Sequence, residues 1–174
     1  MSFHSGVFPD CLKIAKVVPI YKKDNRSLMS NYRPISLSSI FSKLIEKLMH
    51  KRLYSFLMSN KILYHYQFRF RKSHSTTLAL IEVIDNLLFN LENDIISVGI
   101  YIDLQKAFDT VNHKILLAKM YNYGIRGMVH NWFSNYLTDR KQCTVVGNNQ
   151  SLLGSITCGV PHYLSEAHYC SSCM

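Results

Sequence analysis

Residues Ile95 to Ile102, rich in β-branched and aromatic side chains, end on Asp103, and a second carboxylate, Asp109, follows in the next loop. The run predicts a buried strand. A carboxylate held at a strand end can bind a hard divalent cation through oxygen, and Mg2+ is usually shared between one or two carboxylates and substrate phosphates. The competing reading of Asp103 is a cap on the turn that follows. Asp109 reads as structural, at a helix entry where negative charge is favoured. Lys43, Lys47, Lys51, Arg52, Arg71, Lys72, Arg140 and Lys141 are interleaved with Tyr54, Tyr64, Tyr66 and Phe70. That mixture suits a polyanionic backbone bound by salt-dependent contacts, although solvated helix faces explain half of it equally well. His162, His168, Cys170 and Cys173 include a C-x-x-C spacing suited to Zn2+, but so short an interval offers little to fold around an ion.

The elements that must hold these groups are legible from composition and period. The chain has 174 residues, 48% hydrophobic and 18% charged, with a formal net charge of +9. Its mass of 20.2 kDa and mean hydropathy of −0.00 fit one globular domain or a piece of a larger one, and exclude disorder for most of it. The basic excess suggests a polyanionic partner. Charged or polar residues interrupt every apolar run, so no membrane span is expected. No secretory signal is read at the N-terminus, and the 5 Cys form no disulfide framework. The expected location is therefore intracellular, nucleus or cytoplasm.

A strand is expected over 13–21, running into a basic loop, and a helix from Ser36 to about Asn60 with Ile40, Leu44, Leu48, Leu53 and Leu57 on its apolar face. A linker over 62–72 leads to a cap at Ser75-Thr76-Thr77 and a second helix, with Leu80, Val83, Ile84, Leu87 and Leu91 along one face. After the strand over 95–102 come a helix ending near Gly124 and another carrying Val129, Trp132, Phe133, Tyr136 and Leu137. Residues 143–147 and 152–157 read as a hairpin. The fold class is α/β (α+β).

Motif order narrows this further. In succession come Gly6-Val7-Phe8-Pro9, Val18-Pro19-Ile20 with Lys22-Lys23, Asn31-Tyr32-Arg33-Pro34-Ile35-Ser36-Leu37, and Gln67-Phe68-Arg69-Phe70-Arg71. Asp103-Leu104-Gln105-Lys106-Ala107-Phe108-Asp109 and Gly159-Val160-Pro161 follow. Over residues 6–161 the chain resembles the N-terminal part of the reverse transcriptases of non-LTR (LINE-type) retrotransposons.

The resemblance implies a partial right-hand polymerase fold: fingers over 1–94, the first part of a palm over 95–161, and a tail over 162–174 without counterpart. It implies RNA-directed DNA synthesis with RNA template, primer DNA and dNTP as partners and two Mg2+ ions as cofactor. Asp103 matches the first catalytic, metal-binding aspartate, and the Leu104 carbonyl faces a metal. Lys22, Lys23 and Arg33 match positions that hold the incoming triphosphate, where the planar Arg fork and the compact Lys charge both suit phosphate. Lys106 and Ala107 belong to the same nucleotide site, and Phe108 matches the aromatic residue that excludes ribonucleotides. Gln67, Arg69, Arg71 and Lys72 are expected to bind nucleic acid. Arg69 stands where the family has glycine, which puts local backbone geometry in question. The family's later Ala-Asp-Asp segment does not occur in these residues, so this chain alone is expected not to polymerise. The alternative expectation is an RNA- or hybrid-binding module without catalysis.

Overall fold

The computed structural model describes residues 2–104 and 107–160. A short helix α1 (Ser2–Ser5) leads to strand β1 (Ile14–Tyr21), which hairpins back as β2 (Tyr32–Leu37). Helices α2 (Ile40–Ser59), α3 (Thr76–Glu92), α4 (His113–Asn122) and α5 (Gly127–Leu137) follow, then strands β3 (Lys141–Val146), β4 (Asn149–Gln150) and β5 (Gly154–Ser155). The result is a mixed α/β structure, as the sequence implies.

The sheet runs in the order β2-β1-β3-β4, with β5 also on β3. β1 pairs antiparallel with β2 (Ile20 opposite Arg33) and parallel with β3 (Ala15 opposite Gln142). This sheet therefore joins the two ends of the described chain. β2 is a strand that the sequence reading missed: its Pro34 sits opposite Pro19, and proline at such a position removes a ladder donor. The helix expected from Ser36 accordingly begins at Ile40. The expected second hairpin arm over 152–157 is reduced to Gly154–Ser155, and the immediate return strand is β4.

The core lies where α2, α4 and α5 meet the N-terminal segment: Phe8, Met49, Met120, Ile125, Trp132, Phe133, Tyr136 and Leu137 are buried together. Aromatic geometry locks it. Phe8 packs edge-on against both Trp132 and Tyr136, and the rings of Trp132 and Tyr136 stack at 5.1 Å. The Asn135 side chain accepts from the Phe8 backbone N–H at 2.7 Å, fixing the N-terminal segment to α5. α4 starts cleanly because Asn112 Oδ1 accepts from the backbone of Lys114 and Ile115.

Three expectations are corrected. In α2 the face read as apolar is largely outward, with Ile40, Leu44 and Leu48 exposed, while Ser42, Glu46 and Met49 are buried. The inward face tolerates two polar residues because they satisfy each other: Ser42 Oγ donates to Glu46 Oε1 at 2.8 Å, and Tyr136 Oη donates to the same oxygen at 3.0 Å. In α3, capped by Ser75 Oγ accepting from Leu78 N–H, none of the predicted face is buried. Residues 95–104 form no strand, and Ile96, Ile100 and Tyr101 are 89%, 83% and 91% exposed. The physical reason is that a strand has no hydrogen bonds of its own; no described strand pairs with this run, so its β-favouring composition has nothing to act on.

Candidate nucleotide and nucleic-acid interface

The β1–β2 hairpin positions three of the basic residues. Arg33 lies opposite Ile20, and the Lys22 N–H donates to the Asn31 carbonyl at 2.9 Å, extending the ladder by a step so that Lys22 falls on the Arg33 face. Lys22, Lys23 and Arg33 are exposed. The loop between them is braced by its own bonds: Tyr21 Oη donates to the Asp24 carbonyl, Tyr32 Oη to the Arg26 carbonyl, and the Arg26 guanidinium lies 4.9 Å over the Tyr21 ring. The two lysines thus leave a stiffened turn, while Arg33 leaves a paired strand.

The other face of the same strands borders a cavity of about 340 Å3 whose lining includes Ala15, Val17, Pro34, Ser36, Asp109 and Arg140. Alternation along β2 separates the two sides: Pro34 and Ser36 face this cavity and Arg33 does not. Gly159 also borders it, and holds the chain against the loop after Phe108. Its φ is +86°, and a Cβ there would stand 2.9 Å from the Asp109 carbonyl oxygen. Gly159 N–H donates to Val111 O, Val160 N–H to Phe108 O, and His113 Nε2 lies 2.7 Å from Gly159 O. His113 is a contact that the sequence reading missed; its signal was only a lone histidine at a helix start.

The 67–72 loop reaches the same neighbourhood. Phe70 meets Phe108 edge-on at 5.9 Å, joining the loop that carries the expected nucleic-acid residues to the expected nucleotide residue Phe108. Within the loop the roles diverge. The Arg69 guanidinium lies 5.4 Å over the Phe70 ring, on an exposed residue. Arg71 turns back to donate to the Tyr64 and His65 carbonyls at 3.1 and 3.0 Å, so its guanidinium shapes the loop. Gln67 Nε2 donates to the Arg69 carbonyl, and the Lys72 N–H donates to Tyr54 Oη at 2.9 Å, leaving the Lys72 residue exposed. Arg69 is not the residue in the left-handed region; that position is Phe70, at φ 61°.

Asp103 and Leu104 are exposed and lie on the unpaired 95–104 segment, so the rigid strand-end placement expected for Asp103 is not found. Among the described residues no group of three or more His, Cys, Asp or Glu side chains converges as a metal site. The described donors therefore do not fit a two-ion centre. Lys106 and the tail residues His162, His168, Cys170 and Cys173 lie outside the described residues, as does Pro161. Cys11, Cys143 and Cys158 are free thiols. No described helix is long and apolar enough to cross a membrane.

Comparison with known proteins gives a consistent result. Residues 20–162 match the family described as reverse transcriptase (RNA-dependent DNA polymerase). A probable RNA-directed DNA polymerase from transposon BS of Drosophila melanogaster is 32% identical over 161 residues, covering 88% of this chain and 17% of that protein. The RNA-directed DNA polymerase from mobile element jockey of the same organism is 31% identical over 157 residues, covering 90% of this chain and 17% of the relative. A probable RNA-directed DNA polymerase from transposon X-element is 29% identical over 167 residues, 94% of this chain and 18% of that protein. The chain thus spans under a fifth of the length of the curated relatives it matches.

Proposed function

Since the chain belongs to the reverse transcriptase (RNA-dependent DNA polymerase) family, of the non-LTR retrotransposon kind, we propose that it forms the template- and nucleotide-binding part of such an RNA-directed DNA polymerase. Residues 1–94 serve as fingers and 95–161 as the start of the palm. The observation that carries this reading is the shared face of Lys22 and Arg33 on a braced hairpin, a pair of cations set to receive a triphosphate. Exposed Arg69 and Lys72 extend the positive surface toward a template backbone, and Phe108, steadied by Phe70, stands beside the sugar of the incoming nucleotide. Asp103 is the family's first catalytic aspartate. Two-ion phosphoryl transfer needs further carboxylates beside it, and the described residues supply none in a cluster.

Fluorescence anisotropy of an RNA–DNA hybrid against the purified chain tests the binding half. The logarithm of the association constant is expected to fall linearly with that of salt concentration. Lys22→Ala with Arg33→Ala is expected to weaken dNTP binding about tenfold or more while hybrid binding changes less. Salt-insensitive binding, or a double variant with unchanged dNTP affinity, would sink the assignment. The second reading, hybrid binding without catalysis, is favoured by the exposed Asp103, which belongs to no group of three or more His, Cys, Asp or Glu side chains among the described residues. A primer-extension assay with Mg2+ separates the two: no product is expected from this chain alone, and extension abolished by Asp103→Ala would exclude the non-catalytic reading.

A further inference from the structure

Past the end of α2 the chain turns through Tyr64-His65-Tyr66-Gln67, and the Gln67 N–H closes that turn on the Tyr64 carbonyl at 3.1 Å. The Arg71 guanidinium donates to the Tyr64 and His65 carbonyls as well, at 3.1 and 3.0 Å. The backbone of the turn is thus braced, yet its two tyrosines are left open: Tyr64 is 70% exposed and Tyr66 52%. Their ring centroids lie 5.7 Å apart with planes inclined at 56°, and the His65 ring meets Tyr66 edge-on at 5.1 Å. Inclined planes cannot grip one flat group as parallel walls; two flat groups, one to each ring, suit the pair better. The surrounding charge has one sign. Residues 47–81 carry seven Lys or Arg and no Asp or Glu. Lys61, a left-handed residue just past α2 at φ 53°, borders with Tyr64 an open hollow of about 560 Å3 that no described carboxylate lines. Arg69 and Lys72, farther along, are exposed. Flat apolar faces strung on a polyanion meet both conditions, and unstacked nucleobases on their phosphate backbone are such a ligand.

We propose that Tyr64 and Tyr66 form a stacking platform for consecutive unpaired bases of a single-stranded nucleic acid, with Lys61 beside it to meet the phosphates. The inference rests on the reading of the chain as a nucleic-acid binder, and adds to it a site that takes bases as well as backbone. Stacking tolerates any base, because each has a π-face, but it needs that face uncovered. In a duplex the neighbouring pairs cover it. The platform therefore selects single strands, and the bracing by Arg71 lowers the ordering cost of binding them.

Oligothymidine of about twelve residues and an abasic strand with the same number of phosphates are titrated separately into the full chain, with fluorescence anisotropy as the readout. The base-bearing strand is expected to bind about tenfold or more tighter. Tyr64→Ala with Tyr66→Ala is expected to bring the two strands within about threefold and leave the salt slope unchanged, whereas Tyr64→Phe with Tyr66→Phe keeps the preference. Equal affinity of the wild-type chain for the two strands overturns the proposal without recourse to any variant. So does an unchanged preference in the folded alanine variant, or displacement of oligothymidine by poly-glutamate as readily as by unlabelled oligothymidine, which would make the turn a site for acidic peptide. Equal strand affinities alongside salt-dependent hybrid binding would strike this inference alone; loss of hybrid binding would strike the reading beneath it and the platform together.

Discussion

Gly159 is the position where a single methyl group would do most damage to the candidate interface. Its φ of +86° is disfavoured for any residue with a Cβ, and the added carbon would meet the Asp109 backbone at 2.9 Å. Gly159→Ala is expected to cost about 1–3 kcal/mol in urea unfolding, because the two backbone bonds from Gly159 and Val160 to Val111 and Phe108 must shift together. An unchanged midpoint would show that this crossing is looser than drawn. Arginines at neighbouring positions illustrate how far sequence type alone carries. Arg69 and Arg71 looked equivalent as nucleic-acid contacts, yet Arg71 spends its guanidinium on two carbonyls of its own loop, and the exposed Arg69 sets its guanidinium over the Phe70 ring. Nothing in residue type distinguishes them; the fold of the loop does. The positive φ in this loop likewise falls on the next residue, Phe70, and not on Arg69.

Among the elements, β1 was legible because eight residues of β-favouring composition have partners on both edges. The run from 95 to 102 is at least as rich in β-favouring residues but pairs with no described strand, which composition cannot reveal. α2 carries more apolar residues than one face can bury, so period alone did not choose between the stripe through Leu44 and Leu48 and the one through Met49. The Ser42–Glu46–Tyr136 network decided it, and that is a tertiary fact. α3 presents Ile84 and Leu88 to solvent at 44% and 53% exposure. Ile84→Ser with Leu88→Ser is therefore expected to change unfolding free energy by less than about 1 kcal/mol while raising the soluble fraction on centrifugation. A collapse of the unfolding midpoint would place this helix in the core.

For the molecule as a whole, the buried contact of α5 with α2 ties stability to alkaline pH. Burial holds the Tyr136 phenol well above its ordinary 10.0, Glu46 raises it further by charge and by hydrogen bonding, and Arg140 opposes them. Because the folded value is the higher one, the contribution is fully present below the unfolded value of about 10 and is lost as pH rises through the folded one. Unfolding free energy measured from about pH 9 upward should fall more steeply for the wild-type chain than for Tyr136→Phe; parallel slopes would mean that the phenol is not desolvated. The motif order made the family legible, since it survives without knowledge of packing. The parallel pairing of β1 with β3 has a further consequence, in time and not in space. Ile14 to Val17 find their partners in Lys141 to Thr144, so a very long loop must close before the central ladder exists. During synthesis on the ribosome the first strand has only its hairpin to β2 to shelter it, and the sheet is completed only after β3 has emerged.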